Sequence, residues 1–201
     1  MLGFSPRWLL APALATALTV SAHAQSRMEF TPLVGAFVPT SNLATIPISG
    51  SIAARGGLTT APAFGARFSV VGQSGLGVEA TYFYAASKLE LSTGPLSQSI
   101  DGHVEGGNLK LVFQPRATGS VGFALSGGVA GIKHAGDIFN ALSDQFDIGG
   151  VLGGSLRIPL TPGVTGRIDG EGFFYSWSAG EPFSSASQTT LLLSAGLAIR
   201  L

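Results

Sequence analysis

The C-terminal segment, residues 189–201 (TTLLLSAGLAIRL), alternates regularly between apolar and other residues. Apolar side chains occupy every second position from Leu191 onwards, and Ser194, Gly196 and Arg200 lie between them. A repeat of two residues is typical of a β-strand with one apolar face and one different face. In a soluble sheet this strand would expose a hydrophobic edge, whereas a closed membrane barrel pairs the edge and covers the apolar face with lipid. The segment therefore favours a membrane barrel.

The same alternation predicts seven further strands upstream. In the first of them Leu33 and Phe37 interrupt the alternation, and Pro32 lacks a backbone donor for the ladder. Each predicted strand has roughly 9 to 13 residues, the length that crosses a bilayer when the strand is tilted. The eight predicted strands are residues 27–38, 63–71, 76–86, 103–113, 121–133, 146–158, 164–176 and 189–201.

The connections between these strands alternate in length. Those after the first, third, fifth and seventh have roughly 24, 16, 12 and 12 residues and the others roughly four to seven, as in barrels with short periplasmic turns and longer outer loops. Residues 39–62 are rich in Ser, Thr, Gly and Pro, which predicts a solvated loop, whereas Lys88–Leu91 could extend two strands beyond the bilayer. We predict an all-β, eight-stranded antiparallel up-and-down transmembrane β-barrel with long extracellular loops and periplasmic termini.

Composition agrees with a membrane barrel. Charged residues make up 11 % of the chain, against about 25 % in a typical soluble domain. The mean hydropathy is +0.41, yet after the N-terminal segment no apolar run approaches the ~20 residues of a membrane helix. The formal net charge is zero, which gives no reason to expect nucleic acid as a partner.

Residues 1–24 have the features of a secretory signal peptide. A positively charged residue precedes a short apolar run, and the tripeptide Ala-His-Ala then matches a small-x-small cleavage site. We predict cleavage before Gln25, which leaves residues 25–201 as the barrel domain. The alternative, an N-terminal membrane anchor, fits less well because Pro12 interrupts a short span. The sequence has no Cys, so it offers no lipid-attachment thiol and no disulfide framework.

Charged side chains in mid-strand fall opposite the apolar residues, at the positions that would face the lumen. On the lipid face at the bilayer midplane an Arg or Lys would cost about 2–4 kcal/mol. Side chains fill the interior of an eight-stranded barrel, so buried charges there need ionic partners. This network would form either a plug that holds the barrel shut or a selectivity or proton-relay path. The predicted lumenal ion-pair network consists of Arg67, Glu79, Lys110, Arg157, Arg167, Asp169, Glu171 and Arg200.

Aromatic residues near the strand ends are candidates for interfacial girdles, because such rings anchor a protein at the headgroup level. Ordinary packing against lipid is the alternative reading of the same residues. The predicted girdle consists of Tyr82, Tyr84, Phe174 and Trp177 at the outer rim and Phe113 and Phe123 at the periplasmic rim.

Candidates for catalysis or metal binding are weak. Ser99, Asp101 and His103 have a spacing that a hydrolase could use, but the motif is generic and lacks an activated nucleophile. His134 and Asp137 could contribute to a cation site, yet two scattered ligands do not make one. We expect both histidines to be solvated, and we expect no enzymatic activity, no cofactor and no metal.

The signal peptide, the first strand in EFTPLVGAFVPTSN and the terminal GLAIRL resemble the small eight-stranded outer-membrane barrels of the OmpA-like/OmpX-like porin superfamily. The resemblance covers the whole mature chain through a pattern rather than a specific motif. It implies an integral protein of the cell outer membrane that contacts its lipid and is inserted by the barrel-assembly machinery. Members commonly end in Phe or Trp, whereas this chain ends in Leu201. We expect a monomer.

Three functions remain open, because a fold of this kind serves several roles. The first is a structural or surface-interaction barrel with a plugged polar lumen that presents four loops. The second is a porin-like or lateral-exit transporter of small hydrophobic molecules, and the third is an outer-leaflet hydrolase. A solid ionic plug would favour the first, an apolar tunnel or side opening the second, and an ordered nucleophile beside His103 the third.

Overall fold

The computed structural model describes residues 26–41, 44–49, 52–93, 96–115, 120–136, 146–177 and 186–201. The predicted signal peptide, residues 1–24, lies outside these ranges, as does Asp137. In the described part of the chain, no helix is long and apolar enough to cross a membrane. The described strands are β1 (Arg27–Pro39), β2 (Ala44–Ser49), β3 (Ile52–Leu58), β4 (Ala61–Val71), β5 (Leu76–Ala85), β6 (Lys88–Thr93), β7 (Leu96–Asp101), β8 (His103–Phe113), β9 (Gly122–Ala135), β10 (Phe146–Thr161), β11 (Val164–Trp177) and β12 (Ala186–Arg200).

Eight of these strands form a closed antiparallel barrel in the order β1-β12-β11-β10-β9-β8-β5-β4. The first and last strands close it, with Phe30 opposite Ile199 and Val38 opposite Leu191. Closure pairs both edges of the sheet, so no barrel strand is left with an unpaired edge. The predicted fold class is therefore confirmed.

The four remaining strands form a separate sheet in the order β2-β3-β6-β7, here called the extension sheet. Its two hairpins join where β3 pairs with β6, for example Leu58 with Leu89. Residues 39–62, predicted to be a loop, are not irregular throughout, because β2 and β3 lie within them. A polar composition signals exposure to water, but main-chain groups of two adjacent hairpins can still pair with each other. Lys88–Leu91, predicted to extend two barrel strands, lies in β6 of the extension sheet.

Pro32 lies within β1 without ending it. The pairing of β1 with β4 continues through Pro32 and Ala66. On the other side, β1 pairs with β12 at Phe30 and again at Leu33. The register is the same at both positions, and the two residues between them are not paired with β12. Because proline has no backbone N–H, it removes a ladder hydrogen bond but need not shift the register.

The outer surface of the barrel is apolar. Its large hydrophobic side chains point away from the lumen, and Ile148 is 74 % and Leu111 72 % exposed. They alternate with buried inward residues, as the pleat of a strand requires. A continuous apolar surface of this kind is unfavourable in water and suits a hydrocarbon environment.

The two ends of the barrel differ. At one, the short-turn end, tight turns join β4 to β5 and β10 to β11. The backbone N–H of Gly75 donates to Gly72 O at 3.0 Å, and Gly75 has a φ of 83°, a conformation that favours glycine. The extension sheet continues from the opposite end, here called the extension end. Arg27 begins β1 and Arg200 ends β12, and both lie at the short-turn end.

Candidate functional site

Six buried charged side chains meet in the barrel lumen and are here called the ionic cluster: Arg67, Glu79, Lys110, Arg167, Asp169 and Glu171. Arg67 is at its centre and is 1 % exposed. Its Nη1 lies 2.7 Å from Asp169 Oδ2, its Nη2 3.1 Å from Glu171 Oε2 and its Nε 3.2 Å from Glu79 Oε1. One guanidinium therefore serves three carboxylates.

The other two cations complete the ionic cluster. Arg167 Nη1 donates to Glu79 Oε2 at 2.8 Å, and its Nη2 donates to Asp169 Oδ1 at 2.7 Å. Lys110 Nζ lies 3.0 Å from Glu79 Oε1 and also pairs with Glu171. Three cations thus face three carboxylates, which is the balance that buried charges require.

Strand register explains part of this cluster. Glu79 and Lys110 are direct partners on the adjacent strands β5 and β8, and Arg67 and Glu79 lie on the two strands of one hairpin. Asp169 and Glu171 come from β11, which is separated from β4 by β1 and β12. Their contacts with Arg67 therefore cross the lumen, and only closure of the barrel brings them together.

Arg157 belongs to the predicted network but forms a separate pair. Its Nη2 donates to Glu29 Oε2 at 2.5 Å, and Glu29 also lies 2.8 Å from Arg27 Nε. Neither Glu29 nor Arg27 was among the predicted residues. The phase of the first strand could have revealed Glu29, because it lies opposite the apolar face.

The placement of Arg200 in the ion-pair network is wrong. Arg200 is the last residue of β12 and is exposed to solvent. Its cross-strand partner is Glu29, but the carboxylate of that residue already contacts two other arginines. Among the described residues Arg200 makes no ion pair. Strand phase predicts the side of the sheet, but it does not show how far the packed lumen reaches along the strand.

The sequence did not predict a second layer in the lumen, here called the apolar cluster: Phe37, Ala63, Phe83, Ala85, Val104, Ala130, Ile132, Val151, Phe173, Tyr175 and Leu192. It lies on the extension side of the ionic cluster, where ring centroids of Phe83 and Phe173 are 5.5 Å apart and those of Phe37 and Phe83 6.1 Å apart. Gly106 makes room for Phe83, since a Cβ there would lie 2.2 Å from its ring. The sequence contained a signal for this layer, because Phe37 interrupts the alternation of β1 at an inward-facing position.

His134 does not lie in solvent, which corrects the expectation for this residue. It is fully buried at the extension end of the lumen, because the inward phase of β9 carries it there. Its Nε2 and Tyr175 Oη are 3.5 Å apart, and its Nδ1 lies 3.6 Å from Asp147 Oδ2. Among the described residues, no three side chains of His, Cys, Asp or Glu form a group that could hold a metal ion.

The hydrolase candidates do not assemble. His103 Nε2 lies 3.7 Å from Glu105 Oε1, and the His103 ring stacks on Tyr84 at 5.1 Å. Asp101 instead pairs with Lys88 Nζ at 2.9 Å across the β6–β7 hairpin. Within the described ranges, no serine forms a hydrogen bond with His103.

The predicted girdle residues lie on the outer surface where their side chains are described. Tyr82, Tyr84 and Phe174 point outward toward the extension end, and Phe113 and Phe123 point outward near the short-turn end. Trp177 ends β11, and its side chain lies outside the described part of the structure. The role of these rings as membrane anchors stays a prediction.

No protein-family model matches the chain, and no curated protein matches it. Solved structures do match. The outer membrane protein OprG from Pseudomonas aeruginosa has a TM-score of 0.68 at 11 % identity, over 90 % of this chain and 98 % of that one. Neisserial surface protein A (NspA) has a TM-score of 0.57 at 15 % identity, over 87 % and 97 % of the two chains. The outer membrane protein AlkL, solved in DMPC bilayers, has a TM-score of 0.54 at 13 % identity, over 89 % and 90 %.

These similarities define a class by fold. The chain has the architecture of the small eight-stranded barrels found among outer membrane proteins, and the match extends over almost the whole length of each structure. At identities this low the likeness shows the fold alone. The role of this chain must be argued from its own lumen and surface.

Proposed function

We propose that the chain is an integral outer-membrane barrel with a closed lumen and a structural or surface-interaction role. The short-turn end, with both chain termini, faces the periplasm, and the extension sheet lies outside the cell. Lipid covers the apolar outer surface, the barrel-assembly machinery inserts the chain, and the protein works as a monomer without enzymatic activity. The apolar outer surface and the fold similarity support the location, and short turns at one end support the orientation.

The observation that carries this proposal is the stacking of two buried layers in one lumen. The ionic cluster joins β4, β5, β8 and β11 across the barrel axis, and the apolar cluster packs beside it. Side chains can fill an eight-stranded barrel completely, and interiors packed in this way resist deformation. A rigid closed barrel is a suitable support for a surface sheet but leaves little space for solute flow.

The surface role is assigned to the extension sheet. Its β6–β7 hairpin carries exposed Ser97, Gln98 and Ser99, and the pair between Lys88 and Asp101 fixes its base. Strands β2 and β7 are the edges of this open sheet, and unpaired edges are common sites of strand addition by a partner. The sheet therefore offers both polar side chains and main-chain groups to another molecule.

A second candidate, transport of small hydrophobic molecules, has one observation in its favour. The extension half of the lumen is lined by aromatic and aliphatic side chains, as a route for apolar solutes requires. Transport would need these side chains to separate and the barrel wall to open. In the described structure Phe37, Phe83, Phe173 and Leu192 have no exposed surface.

Two measurements on the refolded protein test the closed lumen. In planar bilayers we expect no steady conductance, and a steady large conductance would refute the closed barrel.

Methyl NMR then separates the two functions, because Ile132 lies in the apolar cluster whereas Ile148 is on the outer surface. If the lumen is closed, added cyclohexane is expected to shift the methyl signal of Ile148 and to leave that of Ile132 unchanged. A saturable shift of Ile132 would favour the transporter.

A further inference from the structure

A cavity of about 750 Å³ opens at the short-turn end of the barrel and is here called the vestibule. Its wall runs from the β4–β5 turn past the end of β8 to the β10–β11 turn and the end of β12. Arg27, Arg157 and Arg200 line it, together with Gln114 and Thr165. No acidic side chain occurs among its described lining residues.

The positive charge of the vestibule is only partly neutralised. Glu29 is the carboxylate that contacts its arginines, at 2.8 Å from Arg27 and 2.5 Å from Arg157. Arg200 makes no ion pair among the described residues, and its guanidinium is exposed at the mouth. Among the described side chains, three cations against one carboxylate leave an excess of two positive charges. Walls of one charge sign around a concave opening concentrate ions of the opposite sign.

Buried charged side chains lie directly beyond the vestibule. Arg157 lines it and pairs with buried Glu29, and the register partner of Arg157 on β11 is buried Arg167 of the ionic cluster. An anion that enters would therefore stop beside the arginines. Arginine presents a planar fork that binds carboxylate or phosphate groups through two hydrogen bonds, so such an anion would be held and oriented.

We propose that the vestibule binds a small anion that carries two or more phosphate or carboxylate groups. A single phosphate would fill a small part of the volume, whereas a larger anion can reach Arg200 and Arg27 together. Gln114, whose Oε1 already accepts from Arg27 Nη2 at 2.7 Å, holds that arginine in place. Binding itself does not depend on the proposed function. If the short-turn end faces the periplasm, as proposed above, the anion comes from the periplasm, and this part rests on the proposed function.

Titration calorimetry tests the proposal on the refolded protein in an uncharged sugar detergent, which brings no phosphate of its own. The probes are pyrophosphate and citrate, added in separate titrations at low ionic strength. We expect saturable binding of at least one probe to a single site, with weaker binding as salt is added. Binding of pyrophosphate alone would identify a phosphate site, and binding of citrate alone a carboxylate site; either result supports the proposal.

Variants locate the site. Arg200→Gln is expected to weaken binding about tenfold, the loss of one charge-assisted hydrogen bond. Arg200→Lys keeps the charge without the fork and is expected to bind with intermediate affinity. Lys88→Gln is the matched control, because Lys88 is an exposed cation at the opposite end of the molecule. Absence of binding by the unchanged protein, or equal binding by Arg200→Gln, would overturn the proposal.

Discussion

At the scale of single residues, Arg67 connects the two sides of the ionic cluster across the lumen. It contacts Glu79, Asp169 and Glu171 at once and is almost completely buried. Its contact with Glu79 was predictable, because the two residues lie at similar distances from one short turn. Its contacts with β11 were not, since sequence separation says nothing about which strands face each other across a lumen.

Replacing Arg67 with Met is expected to destabilise the barrel by about 3–5 kcal/mol, because three buried carboxylates would then share two cations. Urea unfolding of the protein from lipid vesicles measures this free energy. The control is Lys88→Met, which breaks the ion pair with Asp101, a pair that is mostly exposed to solvent. That change is expected to cost at most about 1 kcal/mol. Equal effects of the two substitutions would contradict the assignment of Arg67 to a buried cluster.

At the scale of secondary-structure elements, alternation predicts strands and faces well but does not distinguish the layers within the lumen. In β1 the inward residues include Glu29, Leu33 and Phe37. The two apolar ones interrupt the alternation because the inward face of β1 also carries apolar side chains. The structure places Phe37 in the apolar cluster, so a strand with one lipid face can carry apolar side chains on its other face too.

An arginine placed on the lipid face of β9 tests the assignment of faces. Val129 is 60 % exposed near the middle of this strand, opposite Leu109 on β8. Val129→Arg is expected to destabilise the folded protein in vesicles by about 2–4 kcal/mol, the cost of a cation near the bilayer midplane. Ser99→Arg in the extension sheet serves as the control, with a change below about 0.5 kcal/mol. An equally small effect at Val129 would mean that this face is not in contact with lipid.

At the scale of the whole molecule, the described strands form two sheets that do not share strands. The barrel closes through β1 and β12, whereas the extension sheet is built from hairpins inserted after β1 and β5. Both buried lumenal clusters come from the barrel strands. The barrel should therefore fold without the β6–β7 hairpin.

Replacing residues 89–100 with Asn-Gly tests this independence. Lys88 and Asp101 are cross-strand partners, so a two-residue turn can join them. The variant is expected to keep the far-ultraviolet circular dichroism of a barrel, the altered gel mobility of the unheated protein and the absence of conductance. Removing residues 122–133, an equal number from β9, is expected to abolish folding. Failure of the hairpin variant to fold would show that the extension sheet is needed for the barrel.

The sequence by itself determined the barrel architecture, since a two-residue repeat dictates which side chains can share a face and closure removes the exposed edges. It also determined that the mid-strand charges face inward, because lipid would not tolerate them. The tertiary structure decided how the lumen is divided, since contacts across a barrel depend on register and strand tilt. It placed Asp169 and Glu171 against Arg67, and it gathered Phe37, Phe83 and Phe173 into an apolar layer. The C-terminal strand illustrates both contributions. Its alternation predicted that it closes the barrel, whereas the tertiary structure placed Arg200, at the end of this strand, in the vestibule.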